Sequence, residues 1–214
     1  MTIPHANWAG LDDFLDRARD RLDPVRGVEH LPEDGDIDFV PAEKITAIRP
    51  AGVLAPIIPR PDGPTMLLTL RPDTMPTHAG QVAFPGGKME PRDADEVDAA
   101  VREACEEVGV REDGVELVGR GAPYITATAF RIVPVLGLLP ADFEPEPDPD
   151  EVAEVFETPL EFLMNPDNHE PRTGHWRGQE RRYYAMPHDG HFIWGVTAGI
   201  IRALYVRLYG GEAG

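Results

Sequence analysis

Apolar residues return along the chain at three helical spacings and in several short runs. Over residues 9–22 they fall at Leu11, Phe14, Leu15, Ala18 and Leu22, one face of a helix, and Asp23-Pro24 ends the pattern. Over 95–108, Val97, Val101, Ala104 and Val108 share one stripe, and Gly109 stands where a helix C-cap glycine belongs. The third pattern, Phe192 to Leu208, is built on Ile193, Trp194, Val196, Ile200, Ile201, Leu204 and Leu208, with Trp194, Gly195 and Gly199 read as packing this last helix. Strand-like runs lie between. Val53–Ile58 and Thr65–Leu70 flank the turn signal Arg60-Pro61-Asp62-Gly63 and read as a hairpin. Residues 79–88 form a short strand leading into a glycine-rich loop. Val115–Arg120, Ala129–Leu139 and Val152–Phe156 are further strands, and Pro159–Met164 opens a helical turn. Residues 29–47 are an irregular acidic connector, and 144–149 (EPEPDP) form a surface loop. Strands with helices before, among and after them predict an α/β fold with helices on both faces of a sheet.

With 214 residues the chain suits one domain, or one domain with extensions. No apolar run approaches the roughly 18–20 residues of a membrane span, and Met1 to Asp20 hold no signal-peptide core, so a soluble cytoplasmic protein with no membrane partner is expected. The single cysteine, Cys105, excludes an internal disulfide and a Cys-based zinc site; it reads as a small helix residue near the core rather than a nucleophile. A net charge of −18 with no basic stripe argues against nucleic acid as a partner. A polyphosphate remains compatible with such a field if divalent cations stand between the two.

The middle helix carries the candidate chemistry. Glu96, Glu103, Glu106 and Glu107 fall roughly opposite its apolar stripe, and the last three are spaced i, i+3, i+4. Like charges so placed destabilise a helix by a few tenths of a kcal/mol per pair, and Arg102 is the only basic residue of the segment. The cluster is therefore read as a cation site rather than a solvated acidic face. Oxygen-only ligands select hard ions: magnesium, manganese or calcium. Ahead of the helix, Phe84-Pro85-Gly86-Gly87-Lys88 supplies adjacent glycines that let backbone approach a ligand.

Gly87, five residues, Asp93, eight residues, then Arg102-Glu103-Ala104-Cys105-Glu106-Glu107-Val108-Gly109-Val110 resembles the Nudix box. The second half matches at every fixed position. In the first half Asp93 replaces the usual Glu and the spacer is one residue longer. Those departures resemble the coenzyme A pyrophosphatase-like branch, as do Leu67–Arg71, His78–Gly87, Ala129–Val135 and Ile193–Gly199. The branch usually has Ser after the first Arg and a Leu-Arg pair before the His; this chain has Pro72 and Met75-Pro76. The resemblance covers roughly residues 50–205. It implies an α/β/α sandwich with a mixed sheet between helices, residues 1–47 being an N-terminal helix and connector and 48–209 the Nudix hydrolase domain. It implies metal-dependent hydrolysis of a phosphoanhydride bond in a small nucleotide-like substrate. Coenzyme A or acyl-coenzyme A is expected first, giving 3′,5′-ADP and 4′-phosphopantetheine. ADP-ribose, dinucleotides or nucleoside triphosphates are the alternatives, and a non-catalytic nucleotide sensor a further one.

The resemblance also implies roles. Mg²⁺ or Mn²⁺ would be held by Glu103, Glu106, Glu107 and the Gly87 carbonyl. Glu103 is ligand or general base, and Arg102 orients it through a charge-assisted hydrogen bond. Arg71 and His78 are candidate substrate contacts. Asp93 is read as a structural acid at the helix N-terminus. A remote carboxylate is expected among Glu151, Glu154 and Glu157. His169, His175 and His188 lack metal spacing and receive no role, and a homodimer is possible through the N-terminal helix.

Overall fold

The computed structural model describes residues 8–74, 78–176 and 178–210, without the side chain of residue 176. In chain order the elements are α1 (Leu11–Arg21), β1 (Asp34–Gly35), β2 (Arg49–Ile58), β3 (Thr65–Leu70), β4 (Val82–Ala83), β5 (Gly86–Lys88), α2 (Glu96–Val108), β6 (Glu116–Arg120), β7 (Tyr124–Ile125), β8 (Phe130–Leu138), β9 (Glu154–Pro159), α3 (Leu160–Leu163), β10 (Glu170–Trp176), β11 (Gln179–His188), β12 (His191–Trp194) and α4 (Gly195–Tyr209).

Among the described residues nine strands form one mixed sheet, in the order β1-β7-β8-β2-β3-β4, with β5 joined to β2, β6 to β8 and β9 to β3. The predicted hairpin exists: Ile57 faces Met66 and Ile58 faces Thr65. Beyond that turn β2 and β3 part. β2 takes β5 as its neighbour, with Gly52 opposite Gly87 and Val53 opposite Gly86, while β3 takes β4, with Leu70 opposite Val82. The glycine-rich loop thus fills the gap between two diverging strands.

Helices cover both faces, as the pattern predicted. Val97, Ala100, Ala104 and Val108 of α2 pack on Leu54, Ile58, Leu67, Val133 and Val135. On the other face Phe14, Leu15 and Ala18 of α1 and Ile200, Ile201, Leu204 and Leu208 of α4 pack on Ala55, Ile57, Met66, Leu68 and Leu136. Each set holds alternate residues of β2 and β3, the period-two signature of a sheet buried on both sides. Arg21 donates to the Leu208 carbonyl and Arg207 to the Arg21 carbonyl, joining α1 to α4 end to end.

Three expectations change. Phe192, Ile193 and Trp194 are strand, not helix: they form β12, the edge of a second, three-stranded sheet with β10 and β11. Their apolar run fits either period, and Asp189-Gly190, both at positive φ, close a tight β11–β12 turn that favours the strand. The run expected at Val152–Phe156 is shifted onward to Glu154–Pro159, because all six residues of β3 are available to pair it. The acidic connector is more ordered than its composition suggests. Asp34 and Gly35 pair in parallel with Tyr124 and Ile125, and Asp36 is ion-paired with Arg181.

No helix among the described residues is long and apolar enough to cross a membrane. Cys105 lies at the margin of the α2 core, and burial pushes its thiol upward, away from the nucleophilic thiolate.

Candidate active site

Helix α2 begins at Asp95, whose carboxylate accepts from the Val97 and Asp98 amides, and ends at Gly109 in the left-handed region. The N-cap is therefore Asp95, and Asp93, expected as the dipole acid, does something else. Its carboxylate accepts from Arg102 Nε at 2.9 Å and Nη2 at 3.1 Å, and from the Glu90 amide. Those bonds hold Asp93 below the usual carboxylate range, the Arg102 bond first. With its guanidinium gripped from behind, Arg102 presents Nη1 to Glu103 Oε1 at 2.9 Å and to Glu106 Oε2 at 3.0 Å. The expected Arg102–Glu103 contact is present, and Asp93 is what orients it.

The glutamates divide by position. At ~100° per residue Glu106 lies ~180° from the centre of the apolar stripe, but Glu107 lies only ~90° from it. Glu106 stays at the surface, paired with Arg92 and Arg102. Glu107 is only 4% exposed, so the expectation that it faces away from the packing is corrected. It accepts from the Gly86 amide at 3.1 Å, and burial raises its carboxyl to about 8. Glu103 is raised too, desolvation outweighing Arg102.

Glycine is required where the loop meets this helix. A Cβ on Gly87 would stand 2.6 Å from the Glu103 carboxyl carbon, and one on Gly86 (φ 153°) 2.5 Å from the Gly52 carbonyl oxygen. A Cβ on Gly52 would fall 1.8 Å from the Glu96 carbonyl oxygen, so that glycine sets how closely β2 approaches α2.

A third carboxylate arrives from far along the chain. The 144–149 loop lies across the end of α2. The Glu146 amide bonds the Val108 carbonyl and the Asp148 amide bonds the Glu107 carbonyl, satisfying carbonyls a helix C-terminus leaves open. The Glu151 and Val152 amides then fold back on the Asp148 carbonyl. This turn brings Glu151 to Glu103 and Glu107, with one oxygen of each within 4.8 Å of the others. The other two candidates are engaged elsewhere: Glu157 accepts from Arg60 and Thr65, and Glu154 meets His191. Glu106 is not part of the three-carboxylate group. In the sequence Glu151 is one of three acids bordering a short strand, with nothing to single it out from Glu154 and Glu157.

Arg71, at the end of β3, is the cation whose charge bears on Glu107, and its Nε is buried without a hydrogen-bond partner. His78 adopts positive φ, and its Nδ1 lies 2.8 Å from Gln81 Oε1 on the exposed loop before β4. Met75 and Pro76 lie outside the described residues. His169 is buried, bonded to the Leu163 carbonyl and to Arg202, a structural setting. His175 and His188 do not join the carboxylates.

Three acids around a glycine loop, Glu107 buried, Glu103 half-buried and Glu151 exposed, suit a hard cation bound through oxygen. The family model of the NUDIX domain matches residues 48–177. A Nudix hydrolase named NudL from Cronobacter sakazakii is 42% identical over 160 residues, 75% of this chain and 83% of its own length. The NudL of Escherichia coli K12 is 41% identical over the same shares. A solved Nudix hydrolase from Alicyclobacillus acidocaldarius superposes with a TM-score of 0.49 at 18% identity, covering 78% of this chain and 95% of its own. Matched over most of its length by the family model and by relatives above 40% identity, the chain belongs to the Nudix family and is a hydrolase of pyrophosphate bonds.

Proposed function

We propose that this enzyme hydrolyses the pyrophosphate bond of coenzyme A or an acyl-coenzyme A, releasing 3′,5′-ADP and 4′-phosphopantetheine. The metal reading rests on one observation above all, the convergence of Glu103, Glu107 and Glu151 beside Gly86-Gly87. The coenzyme A reading rests on the branch-like pattern from Leu67 to Gly87 and the eight-residue spacer.

Nudix hydrolases use divalent metal ions; bound here, Mg²⁺ or Mn²⁺ supplies charge neutralisation on the phosphates and a more acidic water. The residues that would hold it are Glu103, Glu107 and Glu151, with the Gly87 carbonyl. Glu106, paired with Arg92 and Arg102, would join them by releasing Arg92. Glu103 is assigned to take a proton from water, with Arg102 donating to its Oε1 and fixing its orientation. Arg71, whose Nε is buried without a hydrogen-bond partner and whose charge acts on Glu107, is assigned to a substrate phosphate oxygen. His78 is assigned to the same substrate from the adjoining loop.

The test is a panel of coenzyme A, ADP-ribose, dinucleoside polyphosphates and nucleoside triphosphates, with Mg²⁺ and with Mn²⁺, products identified by mass. The highest kcat/KM is expected for coenzyme A. A higher value for any nucleotide lacking the pantetheine arm would overturn the substrate reading and leave the Nudix chemistry standing.

A further inference from the structure

Between α1 and β1 the chain makes a turn that is braced from within. Asp23, only 4% exposed, accepts from the His30 amide at 2.8 Å and the Leu31 amide at 3.1 Å. Its backbone exchanges two hydrogen bonds, of 3.0 and 2.8 Å, with Arg120 at the end of β6. The buried Arg120 guanidinium donates in turn to the Pro24 carbonyl at 2.9 Å and the Gly27 carbonyl at 3.0 Å. The turn is thus fixed to the large sheet, ahead of residues 48–177 that the family model matches.

From this turn Arg26 grips the first turn of α2, sending Nη1 to Asp95 and Nη2 to Asp98. Both acids also hold the helix backbone. Asp95 caps the helix with its other oxygen, and Asp98 accepts from the Ala94 amide with its other oxygen at 3.0 Å. Arg131 of β8 completes the join, pairing with Glu29 and Glu33 of the turn and with Glu96 of α2. The helix needs such a grip. Its buried apolar residues are Val97, Ala99, Ala100, Val101, Ala104 and Val108. Short side chains make shallow ridges, which fix the face a helix presents better than its position along its axis.

We propose that Arg26 is a positioning residue for anhydride hydrolysis: through Asp95 and Asp98 it sets the placement of α2, and so of Glu103 and Glu107 against Gly87 and Glu151. Arg26 is 53% exposed, and ion pairs so exposed add little to global stability. What the contact contributes is geometry. The inference rests on reading the α2 carboxylates as the catalytic ones and not on coenzyme A.

The experiment measures kcat and KM of full-chain variants on whichever nucleotide anhydride is cut fastest, beside a thermal melt of each. Arg26→Ala should lower kcat about ten-fold with KM within about two-fold, a part of the roughly 10²-fold that a misplacement near 1 Å costs. Its melting temperature should stay within about 4 °C of wild type. Arg26→Lys, a point charge that serves one acid at a time, should recover kcat to within about three-fold. Asp98→Asn keeps an acceptor for the Ala94 amide and loses the charge. It should lower kcat about three-fold, and adding it to Arg26→Ala should cost nothing more, because the two act as one contact. Val28→Ser, at an exposed position of the same turn, should change neither constant. An unmoved kcat in Arg26→Ala overturns the proposal. So does additivity in the double variant, or a loss of kcat that follows the melting temperature and is not recovered by Arg26→Lys. Glu103→Gln is measured alongside. Full turnover there would overturn the reading of the site and this proposal with it. An inactive Glu103→Gln beside a fully active Arg26→Ala would strike the positioning role alone.

Discussion

At the scale of single residues the site depends on atoms that are missing. Gly87→Ala puts a methyl group 2.6 Å from the Glu103 carboxyl carbon. The far end of a glutamate can swing away, so the fold should survive while the base is displaced. Turnover should fall about 10²-fold, the cost of a misplacement near 1 Å, with the melting temperature within a degree or two. Steady-state kinetics beside a thermal melt checks both halves. Glu103→Gln keeps shape and loses basicity. It should lower kcat about 10²–10⁴-fold with KM nearly unchanged, and higher pH should partly rescue it. If kcat instead recovers at high metal concentration, Glu103 is chiefly a ligand.

At the scale of the element, α2 is held by contacts that cannot yield. A Cβ on Gly52 would collide with the Glu96 backbone carbonyl at 1.8 Å, so Gly52→Ala must push helix and strand apart. A loss of about 3 kcal/mol or more is expected by chemical denaturation. Arg102→Ala is also more than a loss of orientation. Asp93, whose side chain is 3% exposed, would keep a buried charge without its partner. The loss should be about 3–5 kcal/mol. Asp93→Asn combined with Arg102→Leu should recover much of that stability but not the turnover. Recovery of both would show that Arg102 serves the fold alone.

At the scale of the whole molecule, the carboxylates tie stability to pH and to metal. Burial raises Glu107 to about 8 and Glu103 in the same direction. An acid with a raised folded pKa binds more protons in the folded state than in the unfolded one. Metal-free stability must then fall as pH rises from near 4.5 to near 8. Melting curves without metal should show that decline, and Glu107→Gln should flatten it and melt higher than wild type at pH 8. Mg²⁺ should raise the wild-type melting temperature more at pH 8 than at pH 6, because protons and cation compete for the same oxygens. Exhaustive chelation should abolish turnover. Full activity after chelation would remove the metal from the mechanism.

Local chemistry made much of this protein legible in the linear chain. The 3.6-residue stripe of α2, the glycine that ends it, the hairpin signal at 60–63 and the spacing of Arg102, Glu103, Glu106 and Glu107 each depend on neighbours a few positions away. Other features are decided by partners far apart in sequence. Helical periodicity puts Glu107 on the flank of α2, ~90° from the stripe, where it could face solvent or a neighbour; β5 lies against that flank and buries it. Three acids near β9 were equivalent by spacing. Only Arg60, His191 and the turn at Asp148 separate Glu157 and Glu154 from Glu151. Residues 192–194 satisfy both the strand and the helix period, and pairing with β11 resolves them as strand. Where a side chain's surroundings come from its own turn of chain, sequence determines it; where they come from a strand a hundred residues away, only tertiary packing does.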